Sequence, residues 1–350
     1  MEDGRYVDGS IWFYAPNKAA PVFFAVAFAA SGCWHIWQCV QYHSWRLTGL
    51  MVFCSICFTG GFIVREMGAF DYGNLVKYIV SVCLTYAAPP LYELANYYTL
   101  GRILYYVPHL SPLHPGRVLT TFALISFAVE VLNGNGASYS ANTSLPQSKQ
   151  DLGHALFKAA LLIQVVVIAA FLALAGVFHA RCRRRRVASP NLYRALHTLY
   201  VSEALLTVRT VYRVVEYWSV AQLRFGPGFD PGELSPLVRY EWFFYVFEAS
   251  LMLGNQVLLN VRHPRMFLPK STKTYLATDG VSEVVGPGYD DKRAFLVTLL
   301  DPFDVAGMVR GTKREGRFWE GSVAGEGGKG DGVGGRTGDD AAGRSGDEVV

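Results

Sequence analysis

Charge is what this 350-residue chain has least of. Asp, Glu, Lys and Arg make up 17% of it, against about 25% in soluble domains. With 51% apolar residues and a mean hydropathy of +0.21, it is short of the polar surface that a soluble fold of this size needs. That deficit implies a polytopic membrane protein. The net charge is only +4, so bulk charge gives no argument for nucleic acid. Cysteines are few and fall mostly inside apolar runs. Cys54-Ser-Ile-Cys57 has metal or redox spacing, but it lies mid-span with no second pair and no nearby His, so it reads as small membrane-core residues. His35, His109, His114, His197 and His263 show no ligand spacing with Cys or carboxylates; they read as interfacial or packing residues, and no metal is expected. No Gly-rich phosphate loop, nucleophile elbow or pair of catalytic carboxylates on a soluble element is found, so neither an enzyme nor a cofactor is implied. The polar start MEDGRYVDGS and a first apolar run long enough to span argue against a cleavable signal peptide.

What the chain does have is apolar stretches of spanning length, which takes about 20 residues. They are Ala20–Val40, Thr48–Val64, Tyr78–Leu100, Val118–Gly136, Ala159–Phe178, Asn191–Trp218 and Trp242–Val261. The expected fold is therefore all-α, with seven transmembrane helices. Pro89-Pro90 interrupts the third stretch; it reads first as a structural kink, tolerable where protein or a cavity covers the break. Arg181-Cys-Arg183-Arg184-Arg185-Arg186 follows the fifth stretch, and Arg46, Arg102 and Arg117 lie in loops on the same side. The positive-inside rule then puts the N-terminus outside and the C-terminus in the cytoplasm. Asn142-Thr-Ser144, a glycosylation sequon between spans four and five, falls outside in that topology. The arginine run is read as a topology determinant, then as a contact for anionic lipid, then as a context for palmitoylation of Cys182. The expected organisation is an extracellular segment over 1–19, a membrane domain over 20–265 and a cytoplasmic tail over 266–350. Ser271-Thr272-Lys273-Thr274 reads as a hydroxyl-rich linker. The tail is expected to be largely disordered from about residue 310; eleven of the thirty residues from Gly321 on are Gly, too little apolar surface to offset chain entropy.

Ionisable residues inside spans are the functional suspects. Arg209, Arg213 and Glu216 sit at i, i+4 and i+7 in the sixth span, on one helix face. In this topology they lie in the outer half, at the depth of Glu66, Glu130, Glu241 and Glu248, with Glu241 and Glu248 on the same side of the seventh helix. Glu93 and Glu203 are the exceptions, near the middle or in the inner half. Two readings stand side by side. The cluster forms a polar cavity for the head of an amphiphile whose tail lies between helices, or Arg–Glu pairs hold the bundle together.

These residues are similar to the motifs of the fungal lipid-translocating exporter family, the RTA-like proteins associated with resistance to aminocholesterol and sphingoid long-chain bases. The likeness covers about residues 10–268. It rests on Tyr14-Ala-Pro16, Arg65-Glu66-Met-Gly68, Ala88-Pro89, Ala95-Asn-Tyr97 and Leu100-Gly-Arg102. It continues with Arg209-Thr-Val-Tyr-Arg213-Val-Val-Glu216-Tyr217, Glu241-Trp-Phe-Phe-Tyr245-Val-Phe-Glu248-Ala249 and His263-Pro264. Ser126 and Asn133 stand where the family pattern has Asp and Gln, and Glu248 stands where Asp is usual. The resemblance implies a seven-span protein of the plasma membrane, or of an endomembrane, that handles membrane lipids or amphipathic small molecules in export or stress resistance. A receptor-like sensor of lipid asymmetry with no transport of its own fits the same pattern. The pattern does not fix the oligomeric state.

Overall fold

The computed structural model describes residues 7, 10–12, 14–71, 73–113, 115–141, 145–220, 234–286 and 297. Asn142 and the distal tail, including the segment expected to be disordered, lie outside these residues. The described chain is predominantly helical: α1 Ala20–Tyr42, α2 Trp45–Ala69, α3 Leu75–Tyr106, α4 Pro115–Ala141, α5 Gln147–Arg184 and α6 Pro190–Val220. A short α7, Pro236–Arg239, leads into a last helical run made of α8 (Trp242–Phe244), a π-helical stretch (Tyr245–Ser250) and α9 (Leu251–Val261). Local chemistry sets the ends. Pro21 sits in the first turn of α1, where its missing N–H is not needed, and His43 closes that helix in the left-handed conformation at φ 49°. Asn74 caps α3 by accepting from the Val76 and Lys77 amides at 3.2 and 3.3 Å.

Among the described residues, six helices are long and apolar enough to cross a membrane: Ala20–Tyr42, Thr48–Ala69, Leu75–Tyr106, Pro115–Ser140, Gln147–Arg184 and Trp242–Met266. The chain is a multi-pass membrane protein. α6 does not reach that hydropathy because Glu203, Arg209, Arg213 and Glu216 dilute it. It is nonetheless packed into the bundle against α3, α5 and α9, with Leu192, Leu196, Leu199 and Leu206 buried.

Lipid is as apolar as a leucine side chain, so helix association rests on close packing and polar contacts rather than on hydrophobic burial. Small residues provide the close approach. A Cβ on Gly153 of α5 would lie 2.5 Å from the Ser140 amide nitrogen of α4, and one on Gly136 would lie 2.8 Å from the Phe157 nitrogen. A ladder of rings fills the space between α1, α2 and α3, with Phe28 stacked on Phe58 at 4.4 Å and Phe24 on Phe62 at 5.2 Å. Phe23, Val26, Trp37, Phe53, Ile56, Phe127 and Val166 stay exposed on the outer surface, as lipid-facing positions should.

Two expectations change at the other end of the bundle. Thr274–Leu276 (β1) pairs antiparallel with Glu283–Val285 (β2), so the expected linker over Ser271–Thr274 ends in the first strand of a hairpin, and the fold is not purely helical. Asp279-Gly280 is a strong turn signal, and Gly280 supplies the positive φ of 74°. The hairpin docks: Ala188 N–H donates to Gly280 O at 3.1 Å, the Tyr106 hydroxyl donates to Glu283 at 2.6 Å, and Tyr275 and Leu276 are buried. Arg181 and Arg183–Arg186 are exposed, and Arg181, Arg183 and Arg184 form the last turn of α5, where positive charge suits the helix dipole. Cys182 is the reverse case. It is 0% exposed inside the apolar core formed with Phe178, Leu192 and Leu196, so its burial contradicts the palmitoylation reading.

Candidate functional site

The suspected charges resolve into pairs. On α6 and the last helix, the Arg209 Nε–H donates to Oε1 and Oε2 of Glu248, both at 2.9 Å, and Nη2 lies 2.9 Å from Oε1. The side chains are 9% and 1% exposed, so this fork is sealed inside the bundle. Arg213 bonds Glu216 within α6 and donates to the Tyr86 hydroxyl at 2.6 Å, with its guanidinium over the Tyr86 ring at 4.1 Å. The Tyr212 hydroxyl donates to Glu216 at 3.2 Å.

The third pair was not legible from hydropathy. Arg65 follows directly on the second apolar stretch, Thr48–Val64, and reads there as its boundary, yet it is 3% exposed. Its Nη2 donates to Glu241 at 2.7 Å and to the Tyr14 hydroxyl at 3.1 Å, and its Nε to the Tyr245 hydroxyl at 3.4 Å. The guanidinium plane sits over Trp12 at 4.2 Å and Phe244 at 4.3 Å. Glu241 also accepts from the Asn17 amide at 2.7 Å, which, with Trp12 and Tyr14 on Arg65, ties the segment before α1 onto the bundle end at Trp12, Tyr14 and Asn17. Burial holds the Tyr14 phenol well above its ordinary value against the opposing pull of Arg65, so Tyr14 stays a neutral partner. The signal available in sequence is the Arg65-Glu66-Met-Gly68 motif itself, whose interior residue is Arg65.

Glu241 and Glu248 do not share a partner, although i+7 spacing on a regular helix would put them on one face. The π-helical stretch at Tyr245–Ser250 explains this. Its wider turns underwind the helix between the two carboxylates, so Glu241 meets Arg65 of α2 while Glu248 meets Arg209 of α6.

Between these pairs lies a cavity of about 110 Å³. Arg65, Glu241, Glu216, Tyr86, Thr85 and Tyr78 line its inner walls, and Trp12, Tyr14, Leu237, Val238 and Tyr240 cover it. The double proline contributes here. Pro89 and Pro90 have no N–H to offer the carbonyls of Thr85 and Tyr86, and both residues line this cavity. The remaining two candidates lie elsewhere. Glu66 lines an apolar groove of about 380 Å³ between α1 and α2, with its Oε2 buried and unpartnered. Glu130 lines a second apolar groove, about 440 Å³, between α3 and α4, and accepts from Asn133 at 3.5 Å. Glu93 and Glu203 sit apart from all three pairs.

Sequence reasoning also passed over a polar seam along α9. Gln256 donates to Met51 O at 3.1 Å and bonds Ser55 and Tyr92; Asn260 donates to Ser31 O at 3.3 Å; His35 bonds Gln256 O at 3.2 Å; and His263 bonds Thr48 at 3.2 Å. Such interhelical hydrogen bonds hold helices in lipid, where hydrophobic contact does not discriminate. They explain why both histidines are buried. Among the described residues no group of His, Cys, Asp and Glu could hold a metal ion.

This arrangement defines a class: a multi-pass helical membrane protein with paired charges around a small polar cavity at one end of the bundle. The model of the RTA1 like protein family matches residues 51–271, from α2 to just past α9, and the chain belongs to this RTA1-like family. It is 42% identical over 299 residues, 82% of its length, to the lipid-translocating exporter-like protein RTA1 of Leptosphaeria maculans, and spans 57% of that protein. It is 29% identical over 268 residues to the protein of the same name from Ajellomyces capsulatus, covering 73% of this chain and 80% of the relative. It is 24% identical over 276 residues to the probable lipid transporter atnI of Emericella nidulans, covering 73% of this chain and 68% of the relative. These relatives are named as transporter-like proteins rather than enzymes. No solved structure matches the chain.

Proposed function

We propose that this protein moves an amphipathic lipid, such as a sphingoid base or a sterol analogue, between the leaflets of a fungal membrane, with no catalytic chemistry. The carrying observation is the cavity bounded by Arg65–Glu241 and Glu216. Its charges are already neutralised in pairs, and its walls are hydroxyls and aromatic faces, which suits a small hydroxylated or zwitterionic head. At about 110 Å³ it is too small for the rest of the lipid. The tail then lies along the apolar grooves beside Glu66 and Glu130. In this reading Glu216 and Glu241 stand at the head, with Arg213 as the counter-charge of Glu216, Glu66 and Glu130 lie along the grooves, and the sealed Arg209–Glu248 pair holds α6 to the last helix behind the site.

The topology that goes with this reading has α6 as the seventh span, residues 1–19 outside, a membrane domain over 20–265 and the tail over 266–350 in the cytoplasm, in the plasma membrane. Arg181–Arg186 then faces the anionic inner leaflet. The family relatives' names support the lipid class; the paired charges support the head site. The test uses purified protein in liposomes with a fluorescent long-chain base or phospholipid. Leaflet-to-leaflet movement that drops at least tenfold in Glu216→Ala is expected. Binding without movement sinks the exporter in favour of a sensor. For orientation, Asn142→Gln should remove a glycan from the protein made in fungal cells; protease cutting at Arg181–Arg186 in intact cells would reverse the assignment.

A further inference from the structure

Two carboxylates in the bundle interior take no part in the Arg–Glu pairs. Glu93 of α3 is 2% exposed and Glu203 of α6 is 0% exposed. Glu93 Oε1 accepts from Gln164 Nε2 of α5 at 2.6 Å, and its Oε2 from the Tyr97 hydroxyl at 3.2 Å. Glu203 Oε2 accepts from Asn96 Nδ2 at 2.9 Å. Asn96 is held in turn by Ser202, whose hydroxyl donates to Asn96 Oδ1 at 3.1 Å. The second oxygen of Glu203, Oε1, is buried with no hydrogen-bond partner. Every group that donates to these acids is a neutral amide or phenol.

The charged groups acting on them from the surrounding helices are few. Arg209 of α6 acts on Glu93, but it is already forked onto Glu248. Glu130 of α4 acts on Glu93 with the opposite sign, and the two acids act on each other. A buried carboxylate without a dedicated cation cannot stay ionised cheaply; the usual resolution is to neutralise it with a proton.

We propose that Glu93 and Glu203 form a membrane-embedded proton-binding site. Loading is a plain proton transfer: one carboxylate oxygen gains the O–H bond that a hydronium ion loses, and water departs. A route of exchange is visible. The Ser126 hydroxyl donates to the Tyr97 oxygen at 3.2 Å, and Tyr97 donates to Glu93. Ser126 itself lines the groove between α3 and α4, beside Glu130. A chain of hydroxyls thus joins the buried acid to a groove at the bundle surface. Such a site would let a proton gradient drive movement in a chain that shows no phosphate-binding loop. That coupling rests on the lipid-movement reading, whereas the proton site does not.

The test is infrared difference spectroscopy of the full-length protein in liposomes, in the stretching region of protonated carboxyl groups. The expected result is a buried, slowly deuterating carboxylic-acid band that fades as pH is raised, loses part of its intensity in Glu93→Gln and in Glu203→Gln, and is unchanged in Asp71→Asn, an exposed carboxylate paired with Lys77 at 2.9 Å. Gln keeps the shape and the accepting oxygen, and a thermal melt reports whether each variant folds. The wild-type deuteration measurement stands even if neither does. Absence of a slowly deuterating acid band in the wild type, or a band untouched by both folded variants, overturns the proposal, as does a signal that follows sodium and not pH. Failure of lipid movement with the band intact would reject the transport reading and leave the proton site standing.

Discussion

Removing Glu248 alone should be far worse than removing it together with Arg209. The guanidinium makes a fork at 2.9 Å onto both carboxylate oxygens, and the pair is sealed at 9% and 1% exposure. Glu248→Leu leaves a guanidinium in low dielectric with no counter-charge, a situation that costs about 3–5 kcal/mol. Replacing both partners by apolar residues of similar size is often neutral, or stabilising by about 1–4 kcal/mol. The double variant Arg209→Met/Glu248→Leu should therefore return to within about 1 kcal/mol of wild type, giving a coupling of at least about 3 kcal/mol. That exceeds the roughly 0.6 kcal/mol average of an interhelical hydrogen bond in a membrane protein. The assay is reversible unfolding in mixed micelles with rising dodecyl sulfate, followed by tryptophan fluorescence. Additive single losses, or a coupling at or below the level of an ordinary interhelical hydrogen bond, would refute the view that this pair is a desolvated unit.

Arg65→Lys keeps the charge but loses the planar fork that joins Glu241, Tyr14 and Tyr245 and the stacking on Trp12 and Phe244. A loss of about 2 kcal/mol is expected from the desolvated cation–π contacts, read as earlier thermal unfolding and faster proteolysis before α1. Gly153→Ala should destabilise by about 1–3 kcal/mol, because its Cβ would meet α4 backbone that has nowhere to go. Gly176→Ala, with nothing within 4 Å, should be neutral in the same melt. The Asp279 carboxylate accepts from the Ser282 hydroxyl and from the Val281 and Ser282 amides, which hold it below the usual carboxylate range. Its contribution to the hairpin turn is therefore present above that range and lost as pH falls through the lowered value. Amide exchange at Val281 and Ser282 should accelerate there, and Asp279→Asn should abolish the pH dependence.

The spans were legible because hydropathy reports on hydrocarbon contact. Trp242–Val261 coincides with the observed last helical run, and Ala20–Val40 stops two residues short of the end of α1. What hydropathy does not report is where a helix ends. Ala159–Phe178 is the apolar middle of a helix that begins at Gln147 and ends at Arg184, since polar residues continue the backbone pattern beyond the lipid. The same blindness hid Arg65, which closes an apolar window while α2 runs on to Ala69. Pairings were less legible still. Arg65 and Glu241 are 176 positions apart, and nothing local in either stretch names the other. The underwound turn at Tyr245–Ser250 has no marker such as Pro or Gly within it, so the divergence of Glu241 and Glu248 could only be seen in three dimensions. The hairpin is a different kind of miss, because Asp279-Gly280 is a turn signal readable in the sequence just beyond the linker Ser271–Thr274.

Pairing every interior arginine of the candidate site with a carboxylate has an electrical consequence. A membrane potential does work on a displaced elementary charge of about 2.3 kcal/mol per 100 mV. Arg65–Glu241, Arg209–Glu248 and Arg213–Glu216 each move as a joined, neutral couple. If helices carrying them shift together, the field gains almost nothing, so these positions are close to voltage-blind despite holding six formal charges. Only a pair that separates, or a charge that arrives from outside, gives the potential something to push on.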